Sequence, residues 1–131
     1  MNADDLHALG MRIRRQVLGD AHVDGAEARK TEFDEAFQRF ITESAWGTVW
    51  SRPQLDQRTR SLVTIALLGA LGHYAELEMH VKAARRTGAR SSEIAEALLH
   101  VAVYAGVPAA NQAFAAARRA LAEVDGQAGA E

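Results

Sequence analysis

The sequence predicts an all-α fold, a compact bundle of about six helices that associates with further copies of itself. Three observations predict it. The chain is 48% hydrophobic but only 6% aromatic, so Ala, Leu and Val supply the core, and such small side chains favour helix and close helix packing. Apolar residues recur at three- and four-residue intervals through most of the chain. One helix is apolar nearly all round in its second half, which demands cover on every side. A chain of 131 residues has few other elements to provide that cover, so a partner subunit is expected to share it.

Residues 4–18 carry Leu6, Leu9, Ile13 and Val17 at helical spacing, and Gly19 is placed to end that helix. Residues 21–30 read as a polar connection. The next helix is expected over residues 32–45, with Phe33, Phe37, Phe40 and Ile41 as one stripe. Trp46-Gly47-Thr48-Val49-Trp50 interrupts the pattern, and Arg52-Pro53 breaks it again, because the residue before proline avoids the helical region. Residues 55–71 form the long apolar helix, closed by Gly72. A helix over residues 74–87 stops at Gly88. Ser91 suits an N-cap, with Glu93 in the first turn of a helix that continues to Tyr104. Gly106 and Pro108 mark a stop and a restart, and a last helix runs over residues 108–124. The length is that of one domain, read as residues 1–124, followed by a disordered Gly/Ala tail at 125–131.

Composition narrows the function. Lys and Arg number 15 against 17 Asp and Glu, a net charge of −2, which gives no reason to expect nucleic acid or an anionic membrane as partner. No cysteine is present, so disulfides, thiol redox chemistry and thiolate metal sites are excluded, in keeping with a cytoplasmic protein. The N-terminus lacks a hydrophobic signal core. The longest apolar stretch, residues 62–72 with Thr64 inside it, is about half the roughly 20 residues a membrane span needs. There is no phosphate-cradling glycine motif, no Gly-x-Ser-x-Gly elbow and no His-Glu-x-x-His.

The most informative segment is Gly72-His73-Tyr74-Ala75-Glu76-Leu77-Glu78-Met79-His80-Val81-Lys82. Wound as a helix, it places His73, Glu76, Leu77, His80, Val81, Ala83 and Ala84 on one broad face. Glu78, Lys82, Arg85 and Arg86 fall on the other. Glu76 and His80 are therefore titratable groups in an apolar stripe, four residues apart, with Cβ atoms about 5–6 Å from each other. Two readings stand: a Glu–His pair that satisfies itself in the core or at a subunit contact, and an acid–base pair lining a pocket. A metal site would need more ligands at credible spacing, so none is assigned.

His100 and Tyr104 form a second i, i+4 pair, opposite an apolar stripe of Ile94, Leu98, Leu99, Val101, Ala102 and Ala105. They serve either as an oligomer contact or as the closure of a pocket. Arg12, Arg14 and Arg15 cluster on the first helix, and Arg58 and Arg60 open the apolar one. A dianionic substrate needs one or two arginines, since guanidinium grips carboxylate in a fork. Trp46 and Trp50 read as core or as pocket walls.

Several of these stretches together resemble the carboxymuconolactone decarboxylase family. They are Arg14-Arg15-Gln16-Val17-Leu18-Gly19-Asp20-Ala21-His22-Val23-Asp24, then Ala45-Trp46-Gly47-Thr48-Val49-Trp50-Ser51-Arg52-Pro53 with residues 55–66 after it. Glu76-Leu77 with Met79-His80 follows, and then Leu98-Leu99-His100 leading to Tyr104-Ala105-Gly106-Val107-Pro108-Ala109-Ala110-Asn111. The blocks span residues 10–117. The first is absent from the broader alkylhydroperoxidase D-like superfamily and points to the decarboxylase branch. The redox Cys-x-x-Cys of the peroxidase relatives corresponds to His73 to Glu76 here, which contains no cysteine.

The resemblance implies an all-helical subunit that forms trimers or hexamers and acts on a small lactone dicarboxylate without a cofactor. In the family's substrate the departing carboxylate sits on the γ-carbon of an unsaturated lactone that also bears an acetate arm. Electrons left by CO2 spread through the ring double bond to the lactone carbonyl, so the substrate carries its own sink. The roles implied are His80, held charged by Glu76, as proton donor, and Arg15 or Arg60 as anchor of the acetate arm. Trp46 would be an apolar wall, and His100 and Tyr104 further pocket residues. Two other readings remain: a related cofactor-free enzyme on another lactone or keto acid, and a non-catalytic helical assembly protein.

Overall fold

The computed structural model describes residues 1–128, all helix, turn or loop with no strand among them. The elements are α1 (Ala3–Leu18), α2 (Asp20–Arg29), α3 (Glu35–Ile41), a π-helix (Thr42–Trp50), α4 (Gln57–Leu71), α5 (Tyr74–Arg86), α6 (Ser91–Tyr104) and α7 (Val107–Ala128). The backbone forms two compact units, Met1–Asp56 and the part from Gln57 on. The division falls just after the Arg52-Pro53 break.

In the first unit, α1 starts with a capping box: the Asn2 side chain accepts from the Asp5 N–H at 2.8 Å, and Asp5 accepts from the Asn2 N–H. Gly19, at φ 89°, ends α1 and opens α2. The expected polar connection over residues 21–30 is in fact α2. Its single buried residue is Val23, so no apolar periodicity announces it. Asp20 in its first turn and Arg29 in its last complement the helix dipole instead. The apolar stripe of α1 is also rotated from expectation. Gly10, Arg14, Val17 and Leu18 are buried, whereas Leu6, Leu9 and Ile13 are only partly so.

The Trp46–Trp50 interruption does not end the helix that α3 begins. The chain continues as a π-helix, whose i→i+5 turn is wider than the 3.6-residue period a sequence pattern tests for. Gly10 and Gly47 bring α1 and this segment together. A Cβ on Gly10 would stand 2.0 Å from the Thr42 carbonyl oxygen, and one on Gly47 2.9 Å from the Leu6 carbonyl oxygen. Phe33, Phe37 and Phe40 are exposed.

The second unit is built on Ile65, Leu77, Val81, Ile94, Leu98 and Val101, with Ala113, Ala116, Ala117 and Ala120 of α7 spaced as one helical face. Those alanines let α7 lie close, and a Cβ on Gly69 would meet Ala113, Leu77 and Val101 at 3.3 Å. Gly72, at φ 79°, makes the turn from α4 to α5. The cap of α6 is Arg90 rather than Ser91, which is the first helical residue. Glu93 accepts from the Arg90 N–H at 2.9 Å.

Helix α7 continues to Ala128, into the stretch read as a tail, because Lys82–Glu123 at 2.7 Å and Arg85–Asp125 at 3.2 Å tie it to α5. Residues 129–131 of that tail lie outside the described ones. The long apolar helix leaves Val63, Leu67 and Leu71 exposed, and α6 leaves Leu99, Val103 and Tyr104 so. Leu99 therefore departs from the buried stripe assigned to it. Among the described residues no helix is long and apolar enough to cross a membrane.

Candidate active site

His80 lies midway along α5, and its side chain is only 8% exposed. Leu77, Val81, Ala83 and Ala84 share its buried face. A buried imidazole on an otherwise apolar helix face is a candidate for proton transfer.

Glu76 shares the azimuth of that face but not its depth. It stands in the first turn of α5 and is exposed, so it does not meet the expectation of a carboxylate in an apolar stripe. The N-terminal end of a helix favours a negative charge, and there it keeps its water. No side-chain hydrogen bond or ion pair of Glu76 is found among the described residues. The imidazole is thus one turn deeper than the carboxylate, within the Cβ spacing of about 5–6 Å that i, i+4 residues keep.

Arg60, partly buried on α4, belongs to the same unit. The hydroxyls of Ser61 and Thr87 meet at 2.8 Å, which sets the start of α4 beside the end of α5. His80 is two turns back along α5, roughly 10 Å by the helical rise. Arg58 is occupied differently, since its Nη1 donates to Glu93 at 2.7 Å. His100 and Tyr104 stack on the exposed side of α6, with ring centroids 6.3 Å apart and planes inclined by 7°.

The first unit holds the remaining residues singled out by sequence. Trp46 and Trp50 are both buried, with ring centroids 4.9 Å apart and planes tilted by 35°. Arg15 already grips two carboxylates, Asp20 at 3.1 Å and Asp24 at 2.9 Å, and these push its pKa further up. Both partners sit on α2, the helix that went unread as a helix, so the commitment of Arg15 was hidden with it.

Sequence reasoning passed over Arg14. It is 4% exposed and donates to neutral acceptors, Thr42 Oγ1 and Gln38 Oε1, each at 3.3 Å. Burial lowers its pKa, against the raising field of Glu27 and with a lowering contribution from Arg15. A signal was available: positions 10, 14, 17 and 18 are the i, i+4, i+7, i+8 series of one helix face. Among the described residues, no group of three or more His, Asp and Glu side chains comes together in a way that could hold a metal ion.

Comparison with known proteins gives this geometry its context. Residues 35–119 match the carboxymuconolactone decarboxylase family. The chain is 46% identical over 114 residues to a 4-carboxymuconolactone decarboxylase of Acinetobacter baylyi, covering 87% of this chain and 85% of that protein. It is 39% identical over 122 residues to a nitrosuccinic acid decarboxylase of Metarhizium robertsii, covering 90% and 85% respectively.

Proposed function

From a chain that belongs to the carboxymuconolactone decarboxylase family, we infer a decarboxylase whose substrate is 4-carboxymuconolactone. Its products are 3-oxoadipate enol-lactone and CO2, in the protocatechuate branch of the β-ketoadipate pathway. The observation that carries this reading is the 46% identity over most of the chain to a decarboxylase of that name.

The acids named for the two relatives share a fragment. In each, the carbon that loses CO2 bears an acetate arm and is conjugated or attached to an electron sink, a vinylogous lactone carbonyl in one and a nitro group in the other. Loss of CO2 therefore leaves a stabilised anion, dienolate or nitronate, and the reaction requires no external sink. What the protein supplies is a grip on the arm, stabilisation of the developing oxyanion, and a proton.

In our assignment the γ-carbon to carboxylate bond breaks, and its electron pair moves through the ring double bond onto the lactone oxygen. His80 as imidazolium delivers a proton to the α-carbon, and the enol-lactone forms with its double bond shifted toward the γ-carbon. Such acid catalysis contributes about 10²–10⁴-fold. A single donor to the dienolate oxygen contributes about 10²–10³-fold. Arg60 anchors the acetate arm, and Glu76 favours the charged imidazole from one turn away.

The exposed apolar residues of α4 and α6, Val63, Leu67, Leu71, Leu99 and Val103, support a reading in which a second copy packs on them. Light scattering on the purified protein is expected to give a multiple of the monomer mass, reduced by Val103→Asp. A monomer mass for the unaltered protein contradicts this.

The substrate assignment is tested by ultraviolet assay of 4-carboxymuconolactone and nitrosuccinic acid side by side, with metal chelator present. A kcat/KM at least tenfold higher on the lactone is expected. The reverse preference moves the chain to the nitro-acid branch, which the 39% identity favours as second reading. Turnover of neither acid removes the assignment altogether.

A further inference from the structure

A buried guanidinium needs an anion, and Arg14 has none within ion-pair distance among the described residues. Its two hydrogen bonds, both 3.3 Å long and both to uncharged oxygens, are poor compensation for a cation taken out of water. Its Nε–H is buried without an acceptor among the described residues. The neighbouring charges are otherwise provided for. Lys30 meets Glu27 at 2.9 Å, Arg39 meets Glu43 at 2.8 Å and Asp4 at 3.1 Å, and Glu35 is exposed to solvent. Arg14 is left buried with no carboxylate in contact, and Glu27 acts on it only from beyond ion-pair distance.

The way to it is through Gln38. The amide that takes the Arg14 Nη2 proton also lines a small polar cavity of about 90 Å³, together with His7, Glu27, Lys30, Glu35 and Arg39. That volume suits a carboxylate group rather than a whole ring. Thr42, the other acceptor, is the first residue of the π-helix, an element often placed at functional sites.

We propose that Arg14 is a carboxylate-binding residue, reached from this cavity by a small dicarboxylate whose oxygen replaces the Gln38 amide on the guanidinium. A carboxylate there would accept a charge-assisted pair of bonds in fork geometry, which the neutral acceptors cannot offer. The acid is a dicarboxylate ligand separate from the substrate, whose acetate arm is assigned to Arg60. The inference does not rest on the decarboxylase reading, since the site is defined by a buried guanidinium with no carboxylate in contact.

The probe is succinate, with neutral succinamide as control at matched ionic strength. Melting of the full chain is followed for wild type, Arg14→Met and Arg14→Lys. Arg14→Met removes the charge along with its desolvation cost and is expected to fold. Arg14→Lys keeps the charge but loses the fork.

Wild type is expected to show a saturable rise in Tm with succinate and none with succinamide. The rise should vanish in Arg14→Met and require about ten- to hundred-fold more succinate in Arg14→Lys. An equal rise in all three proteins, or no rise in wild type, overturns the proposal.

Kinetics on 4-carboxymuconolactone then test the separation. As the ligand is separate from the substrate, KM stays constant in Arg14→Met and succinate does not compete. A KM raised about tenfold or more, with competitive succinate, overturns the separate site. Absence of turnover in wild type sinks the decarboxylase reading and leaves the melting result standing.

Discussion

Replacing His80 by alanine is expected to lower CO2 release in a single turnover by about 10²–10⁴-fold. The lactone supplies its own electron sink, so the protein's contribution is concentrated in electrostatics and proton delivery. His80 is the imidazole of our scheme, and it is buried. Leu77, Val81, Ala83 and Ala84 are buried on the same helix. Single-turnover conditions isolate the chemical step from product release. The loss should appear in kcat and kcat/KM alike, since a proton donated in the transition state does little for ground-state binding. A rate within a few-fold of wild type would take His80 out of the mechanism.

Gly10→Ala is expected to be the most damaging small substitution in the first unit. The added Cβ falls 2.0 Å from the Thr42 carbonyl oxygen, 2.9 Å from its carbon and 3.1 Å from the Gly47 nitrogen. All three are backbone atoms, so no rotamer change relieves the clash. Either α1 moves off the π-helix or the π-helix rewinds, and both break the Arg14 bonds to Thr42 and Gln38. Overpacking of this kind costs about 3 kcal/mol or more, the upper end for inserted methyl groups, and lowers Tm by on the order of 10 °C. Gly25→Ala is the control. Its Cβ meets only the tip of the Arg29 side chain, at 3.2 Å, a group free to swing aside, and inside α2 the replacement of glycine by alanine favours helix. A melting curve for Gly10→Ala that matches Gly25→Ala would show that the tight approach is not sustained in solution.

Much of the fold was legible because its elements bury one face at helical period. Residues 74–87 and 91–104 were placed within a residue of α5 and α6, helped by Gly88 and by the glycine–proline restart before α7. What escaped followed other physics. Helix α2 is held by end charges and buries only Val23, so a test for apolar period finds nothing there. The π-helix keeps its hydrogen bonds but changes the period, and Trp46 and Trp50 therefore look like a break.

The candidate site shows a second kind of limit. A helical wheel gives azimuth without depth, and Glu76 shares the face of His80 yet stands at the end where the face runs out. Arg14 shows the reverse error. It occupied a buried register throughout but was named only as one of three arginines clustered on the first helix. Arg15, its neighbour, was preferred as a substrate ligand and instead holds Asp20 and Asp24.

Decarboxylation in D2O, read by NMR of the product at early times, puts the assigned proton transfer to the most direct trial. If a fixed imidazolium quenches the anion, wild type places a single deuterium on the α-carbon in one configuration. His80→Gln should release CO2 slowly and give both configurations as solvent takes over. Product of mixed configuration from the wild-type protein, or stereochemistry unchanged by His80→Gln, would mean that the proton comes from elsewhere.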